Sequence, residues 1–237
     1  MKALQLIFRY IKYLFRAKSK HSAQAPFIYE LITQVIDKRT NNDSCKNIEE
    51  LRKELCKQER TIKITDFGAG STINNSKTRK VKDVAKNSAK NAKFGKLLYR
   101  IIQFYKPKNI LELGTSLGIS TSYLAKADAK AKVFTFEGCP ETAKIAEENF
   151  EKLNIKNTSI TLGDFNLTLT KKLKEIKTID LAFIDGNHQE QPTIDYFEEC
   201  LRYSSNNTIF IFDDIHWSDG MENAWNHIKT HSSTTLT

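Results

Sequence analysis

Cysteine is scarce. The four present, Cys45, Cys56, Cys139 and Cys200, form no C-x-x-C pair and have no metal-ligand spacing. That excludes a disulfide framework or a thiolate zinc site and suits reduced thiols in a cytoplasmic protein. Long apolar runs are missing too. The first twenty residues interleave their hydrophobic positions with Lys2, Arg9, Lys12, Arg16, Lys18 and Lys20, and no small-residue cleavage site follows, so neither a bilayer-spanning segment nor a secretory leader is expected. A complete G-x-G-x-x-G is absent as well, which argues against a pyrophosphate seated on a helix N-terminus, as a dinucleotide would require.

What is present is basic, and unevenly so. The 237 residues carry a net charge of +9, yet residues 1–110 hold 25 lysines and arginines against nine acids, whereas residues 111–237 hold 12 against 19. The excess therefore belongs to the N-terminal part. It fits a solvated lysine-rich face, an acidic small-molecule acceptor, nucleic acid or an anionic membrane surface. Leu4, Ile7, Phe8, Ile11, Leu14 and Phe15 fall at helical spacing. They predict an amphipathic basic helix over 1–20, packed on its own domain, on a partner subunit or on a membrane surface. Further helices are expected over 27–38 and 47–59. The stretch 61–71 contains Asp66-x-Gly68-x-Gly70, but no strand with a terminal acid follows at the required distance. It is expected to be a short strand and turn, and with the polar segment after it (74–93) to cover the active site.

From residue 93 the pattern changes. An amphipathic helix over 93–105 stops before Pro107. Apolar runs then alternate with helical segments: strands at 109–113, 131–136, 158–162, 179–184 and 208–212, and helices at about 119–128, 140–153, 167–176, 192–203 and 219–231. This alternation predicts an α/β fold, a Rossmann-like doubly wound, mostly parallel sheet with helices on both faces. The domains expected are a basic, mainly helical extension over 1–92 and the Rossmann-like domain over 93–237. Each strand ends in a carboxylate or a glycine turn, and in an open parallel sheet ligands bind beyond those ends.

The first strand and turn read Glu112-x-Gly114-x-x-x-Gly118. The acid before the first glycine would repel a pyrophosphate and attract an ammonium. Glu137, nineteen residues after Gly118, suits the two hydroxyls of a ribose. Gly163-Asp164-Phe165 follows strand three, Asp185-Gly186-Asn187-His188 follows strand four, and Asp213-Asp214 follows strand five. With these residues the chain from about 93 onward resembles class I S-adenosylmethionine-dependent methyltransferases, specifically the metal-dependent small-molecule O-methyltransferases.

The resemblance implies an enzyme whose cofactor, S-adenosylmethionine, is held by Glu112, Gly114, Thr115, Ser116, Gly118, Glu137, Gly138, Gly163, Asp164, Phe165 and Asp185. It implies a divalent cation, Mg²⁺, on Asp185, Asp213 and Asp214. Asp185 and His188 are the catalytic candidates, with neutral imidazole as the general base. His188, His216 and Trp217 are candidates for binding the acceptor, and His216 could instead ligate the metal. Asn187 stands where relatives often carry an acid. Nucleic acid is not an expected substrate, because the Asn/Asp-Pro-Pro-aromatic sequence of amino-methylating enzymes is missing after strand four. A non-catalytic binding protein on the same fold is the alternative. The family's fold closes with a reversed β-hairpin, and this sequence stops at Thr237, inside the expected sixth strand. A truncated C-terminal hairpin and an open sheet edge are therefore expected, with homo-oligomerisation as one way to cover that edge.

Overall fold

The structure, a computed structural model, describes residues 11, 26–40, 42–65, 68, 78–87 and 89–235. It divides into two compact units, Met1–Thr40 and Asn41–Thr237. In the first, α1 (Pro26–Glu30) continues into π-helical turns over Leu31–Ile36. The basic helix expected over 1–20 lies outside the described residues, apart from Ile11.

The second unit is organised by five parallel strands in the order β5-β4-β3-β6-β7: β3 (Asn109–Leu113), β4 (Lys132–Glu137), β5 (Thr158–Leu162), β6 (Leu181–Ile184) and β7 (Ile209–Phe212). β3 sits at the centre of the sheet, and its Ile110, Leu111 and Leu113 have no exposed surface. Leu111 and Leu113 join Phe136 and Ile184 in a core with α7 (Phe165–Ile176) and α8 (Glu190–Leu201), through Leu169, Leu173, Tyr196 and Cys200. Side chains alternate across a strand, so Glu112 points to the opposite face, toward α5 (Ile119–Ala127). α6 (Pro140–Lys152) and α9 (Asp219–Lys229) complete the domain.

Several boundaries differ from the sequence expectation by one or two residues, and two of them have a visible local partner. β6 starts at Leu181 rather than residue 179, and just before it the Asp180 carboxylate accepts from the Lys108 and Asn109 amides at 2.8 and 2.9 Å. α7 starts at Phe165 rather than 167, because Asp164 caps it by accepting from the Asn166 amide.

Upstream of the sheet lie α2 (Lys46–Leu55), β1 (Thr61–Lys63), β2 (Thr78–Lys80), α3 (Val81–Asn87) and α4 (Ala92–Tyr105). β1 and β2 pair antiparallel, and apart from Gly68 the Asp66-x-Gly68-x-Gly70 stretch lies outside the described residues. Ile48, Leu51 and Leu55 of α2, Ile62 of β1 and Val81 and Val84 of α3 share one apolar core with Tyr99, Leu117, Ile119 and Tyr123. α4 approaches α5 closely: a Cβ at Gly95 would lie 2.2 Å from the Tyr123 ring. Burying Val81 and Val84, at roughly 1.5–3 kcal/mol each, ties α3 to this core.

Candidate active site

The carboxyl ends of the strands open into a cavity of about 740 Å³, lined from β3 round to β7 and roofed by residues of α3, α4 and the connection between them. Its size suits a small-molecule site.

One half is built by β3, β4 and β5. After β3 the chain turns at Gly114, whose φ is +106°. A Cβ there would lie 2.2 Å from the Asp185 carbonyl oxygen, so only glycine lets the two turns approach. Thr115, Ser116 and Leu117 follow on the cavity wall. Glu137, at the end of β4, accepts from the Ser116 amide at 2.7 Å and the Cys139 amide at 2.9 Å. Burial pushes its carboxyl up, against those hydrogen bonds. Gly138, Gly163, Asp164 and Phe165 line the same half. The Phe165 ring stands edge-on to Phe136 and Tyr196.

Two of the expected residues lie under this wall rather than on it. Glu112 is completely buried and accepts from the Thr121 and Thr135 hydroxyls, so it ties α5 and β4 to β3. Its other oxygen has no hydrogen-bond partner among the described residues, and burial pushes the carboxyl up to about 7. Gly118 caps α5 at φ +79° and faces Phe150.

The second half comes from β6 and β7. Asp185 follows β6, and burial pushes its carboxyl up to about 7, opposed by the ammonium of Lys90. Asn187 and His188 both take left-handed backbone conformations, φ +72° and +49°, which side chains other than glycine rarely adopt. This loop is held from two sides: Asn187 donates to the Tyr196 hydroxyl at 3.0 Å, and Gly68 packs so close that a Cβ there would meet the Asn187 Cα at 2.7 Å. The fold thus aims His188 at the carboxylates, with Nε2 3.9 Å from Asp185 and 3.8 Å from Asp214.

Asp185 and Asp213 both reach Lys90, whose Nζ is 3.0 Å from Asp185 and in direct contact with Asp213. Asp214, at φ +52°, lies on the His188 side. Among the described residues no three Asp, Glu, His or Cys side chains gather as a metal-holding group. Trp217 lines the cavity. His216 does not; its Nδ1 pairs with Glu222 of α9 at 3.1 Å on the exposed surface.

The sequence between β3 and the end of β7 has relatives. Residues 111–215 match a family described as a methyltransferase domain. A catechol O-methyltransferase of Niastella koreensis is 32% identical over 124 residues, 51% of this chain and 55% of that protein. A catechol O-methyltransferase of Mycobacterium tuberculosis is 26% identical over 129 residues, 54% of this chain and 57% of that protein. Among solved structures, an O-methyltransferase from Bacillus cereus bound to S-adenosylhomocysteine superposes with a TM-score of 0.58 at 20% identity, covering 86% of this chain and 84% of that one. The sheet order, the glycine turn and the family match agree. Residues 111–215 are therefore similar to a methyltransferase domain, on a fold that solved O-methyltransferases share. The chain spans a little over half the length of the two curated relatives.

The cavity residues that strand-and-helix patterning misses come from outside the βα repeat. Arg79, Lys86, Lys90 and Phe94 all line the cavity. The first three lie in the polar, lysine-rich segment 74–93, a segment expected to cover the active site without any one residue being singled out; Phe94 belongs to the helix expected over 93–105. No helix among the described residues is long and apolar enough to cross a membrane.

Proposed function

We propose that this protein transfers a methyl group from S-adenosylmethionine to a hydroxyl oxygen of a small molecule, with assistance from a divalent cation. One observation carries the reading: a single cavity joins a glycine-turn half bearing Glu137, Asp164 and Phe165 to a half bearing Asp185, His188, Asp213 and Asp214. The first half fits the cofactor. Glu137 would accept from ribose hydroxyls, Asp164 from the adenine amine, and Phe165 offers an apolar ring. Glu112 would act from beneath the turn, as the acid toward which the cofactor's ammonium is drawn.

The second half fits the acceptor. Asp185 and Asp213 already share one cation, the Lys90 ammonium, so their oxygens present a position that a hard, oxygen-seeking ion suits. Bound there, Mg²⁺ would lower the pKa of an acceptor hydroxyl. His188 takes that hydroxyl's proton on Nε2, the nitrogen that faces both Asp185 and Asp214. Trp217 and Phe94 supply apolar walls. The relatives' name supports a catechol-like acceptor with two neighbouring hydroxyls. Arg79 supports an acidic one: it lines the cavity, and its buried Nε has no hydrogen-bond partner among the described residues. A buried guanidinium nitrogen without a partner is costly unless a ligand supplies the acceptor. We place the reaction in the cytoplasm, in keeping with four unpaired cysteines.

Calorimetric titration with S-adenosylhomocysteine tests the cofactor site, and transfer of labelled methyl to a panel of catechols with and without a carboxylate tests the acceptor. Binding together with Mg²⁺-stimulated transfer is expected. No binding of S-adenosylhomocysteine would sink the reading; binding without transfer to any hydroxyl would favour a non-catalytic protein on this fold.

A further inference from the structure

Lys90 is absent from every motif that defines the site, yet it stands at its most charged point. It lies in the short connection between α3 and α4, 95 residues from Asp185 and 123 from Asp213 in sequence. Its backbone position is fixed. The next residue, Asn91, caps α4 by accepting from the Lys93 and Phe94 amides at 3.0 and 3.1 Å, and α4 is locked to α5 at Gly95 and Tyr123. From that anchor the side chain enters the cavity with 17% of its surface exposed and meets Asp185, itself 11% exposed, and Asp213.

We propose that Lys90 is a tethered competitor for the cation position. In the metal-free protein its ammonium pairs with both Asp185 and Asp213, and a divalent ion binds there only by displacing it. This rests on the reading that these two carboxylates form the cation position of the methyltransferase site. The physical argument is exclusion. An ammonium in contact with both carboxylates occupies the point at which an ion bridging them would sit. A divalent charge brought within a few ångströms of it would be repelled by several kcal/mol even at the effective dielectric of a protein surface. Neither cation can share the position. The displacement is feasible because a lysine head swings on four rotatable bonds while its backbone stays capped. The consequence is that an ion and an acceptor must together replace what Lys90 provides, so the free enzyme holds its carboxylates paired rather than exposed to any passing metal.

Titration of the full-length protein with Mn²⁺, followed by loss of the free-ion electron paramagnetic resonance signal, tests this. If the closed arrangement dominates the free protein by about ten to one, its removal raises the apparent affinity roughly tenfold. Lys90→Met is expected to bind Mn²⁺ at least tenfold more tightly than wild type, and Lys90→Met/Asp213→Asn is expected to lose that gain. Equal affinity in wild type and Lys90→Met, or no Mn²⁺ site in Lys90→Met, overturns the proposal. S-adenosylhomocysteine titrated into the same samples reports folding and the cofactor site separately, so failure of the methyltransferase reading is distinguishable. Should Lys90→Met not fold, wild type with ¹³C-methylated lysines serves instead. One buried lysine resonance must move to the exposed range at saturating Mg²⁺, and an unmoved signal overturns the proposal equally.

Discussion

Replacing Glu112 with glutamine should change the stability of this protein by an amount that depends on pH, and the structure sets both sign and size. Burial holds the Glu112 carboxyl at about 7, whereas the unfolded chain releases the same proton near 4.5. Between those values the folded state carries a proton that the unfolded state has lost, so this group makes the protein less stable as pH rises. At about 1.4 kcal/mol per unit over some 2.5 units, the loss is about 3 kcal/mol and is complete above pH 7. Glutamine removes it. Its carbonyl keeps the bonds from Thr121 and Thr135, and its amide falls where the second carboxylate oxygen has no partner among the described residues. That misplaced amide costs about 1–3 kcal/mol at every pH. Glu112→Gln is therefore expected to be no more stable than wild type at pH 5, and to gain about 2–3 kcal/mol relative to it between pH 5 and pH 8. Urea unfolding of both proteins at each pH measures the difference. Parallel stability curves would refute the reasoning, because they would mean that Glu112 ionises at no cost in the fold.

The other expectations are simpler. Gly114→Ala places a Cβ 2.2 Å from the Asp185 carbonyl oxygen at φ +106°, where neither backbone can yield, so a loss of about 3 kcal/mol or more and of S-adenosylhomocysteine binding is expected by thermal melting and calorimetry. His188→Asn should lower methyl transfer about 10²-fold or more with cofactor affinity intact, while His216→Asn, paired outside the cavity with Glu222, should change it less than about twofold by the same argument; the reverse ranking would exchange their roles. Tyr123→Phe removes the hydroxyl that donates to Glu49 while Arg52 still holds that carboxylate at 2.8 Å. A cost of about 1–2 kcal/mol in urea unfolding is expected, and no cost would mean that water replaces the hydroxyl.

Which parts of this molecule could be read from the sequence follows from which interactions are local. Strand β3 falls where the apolar run puts it, because a buried parallel strand needs little beyond a short hydrophobic run between turns. The turns carrying Gly114 and Gly163 are legible for the same reason: positive φ selects glycine at a single position. Side-chain destination is a different matter. Asp213 and Asp214 are adjacent and identical, yet one meets Lys90 and the other lies on the His188 side, because a left-handed backbone at Asp214 separates them. His188 and His216 each follow a strand-end aspartate closely, yet only one faces the cavity. Lys90 is the extreme case. Its role depends on α4 docking against α5 through Gly95 and on carboxylates about a hundred residues downstream, so no pattern near position 90 could reveal it. The strand ends predict that charge will collect at this edge of the sheet, but the cation that balances it comes from a helix connection that belongs to no βα unit. Relatives that share the strands and differ in that connection should therefore differ first in their affinity for metal, with the cofactor half of the site left alike.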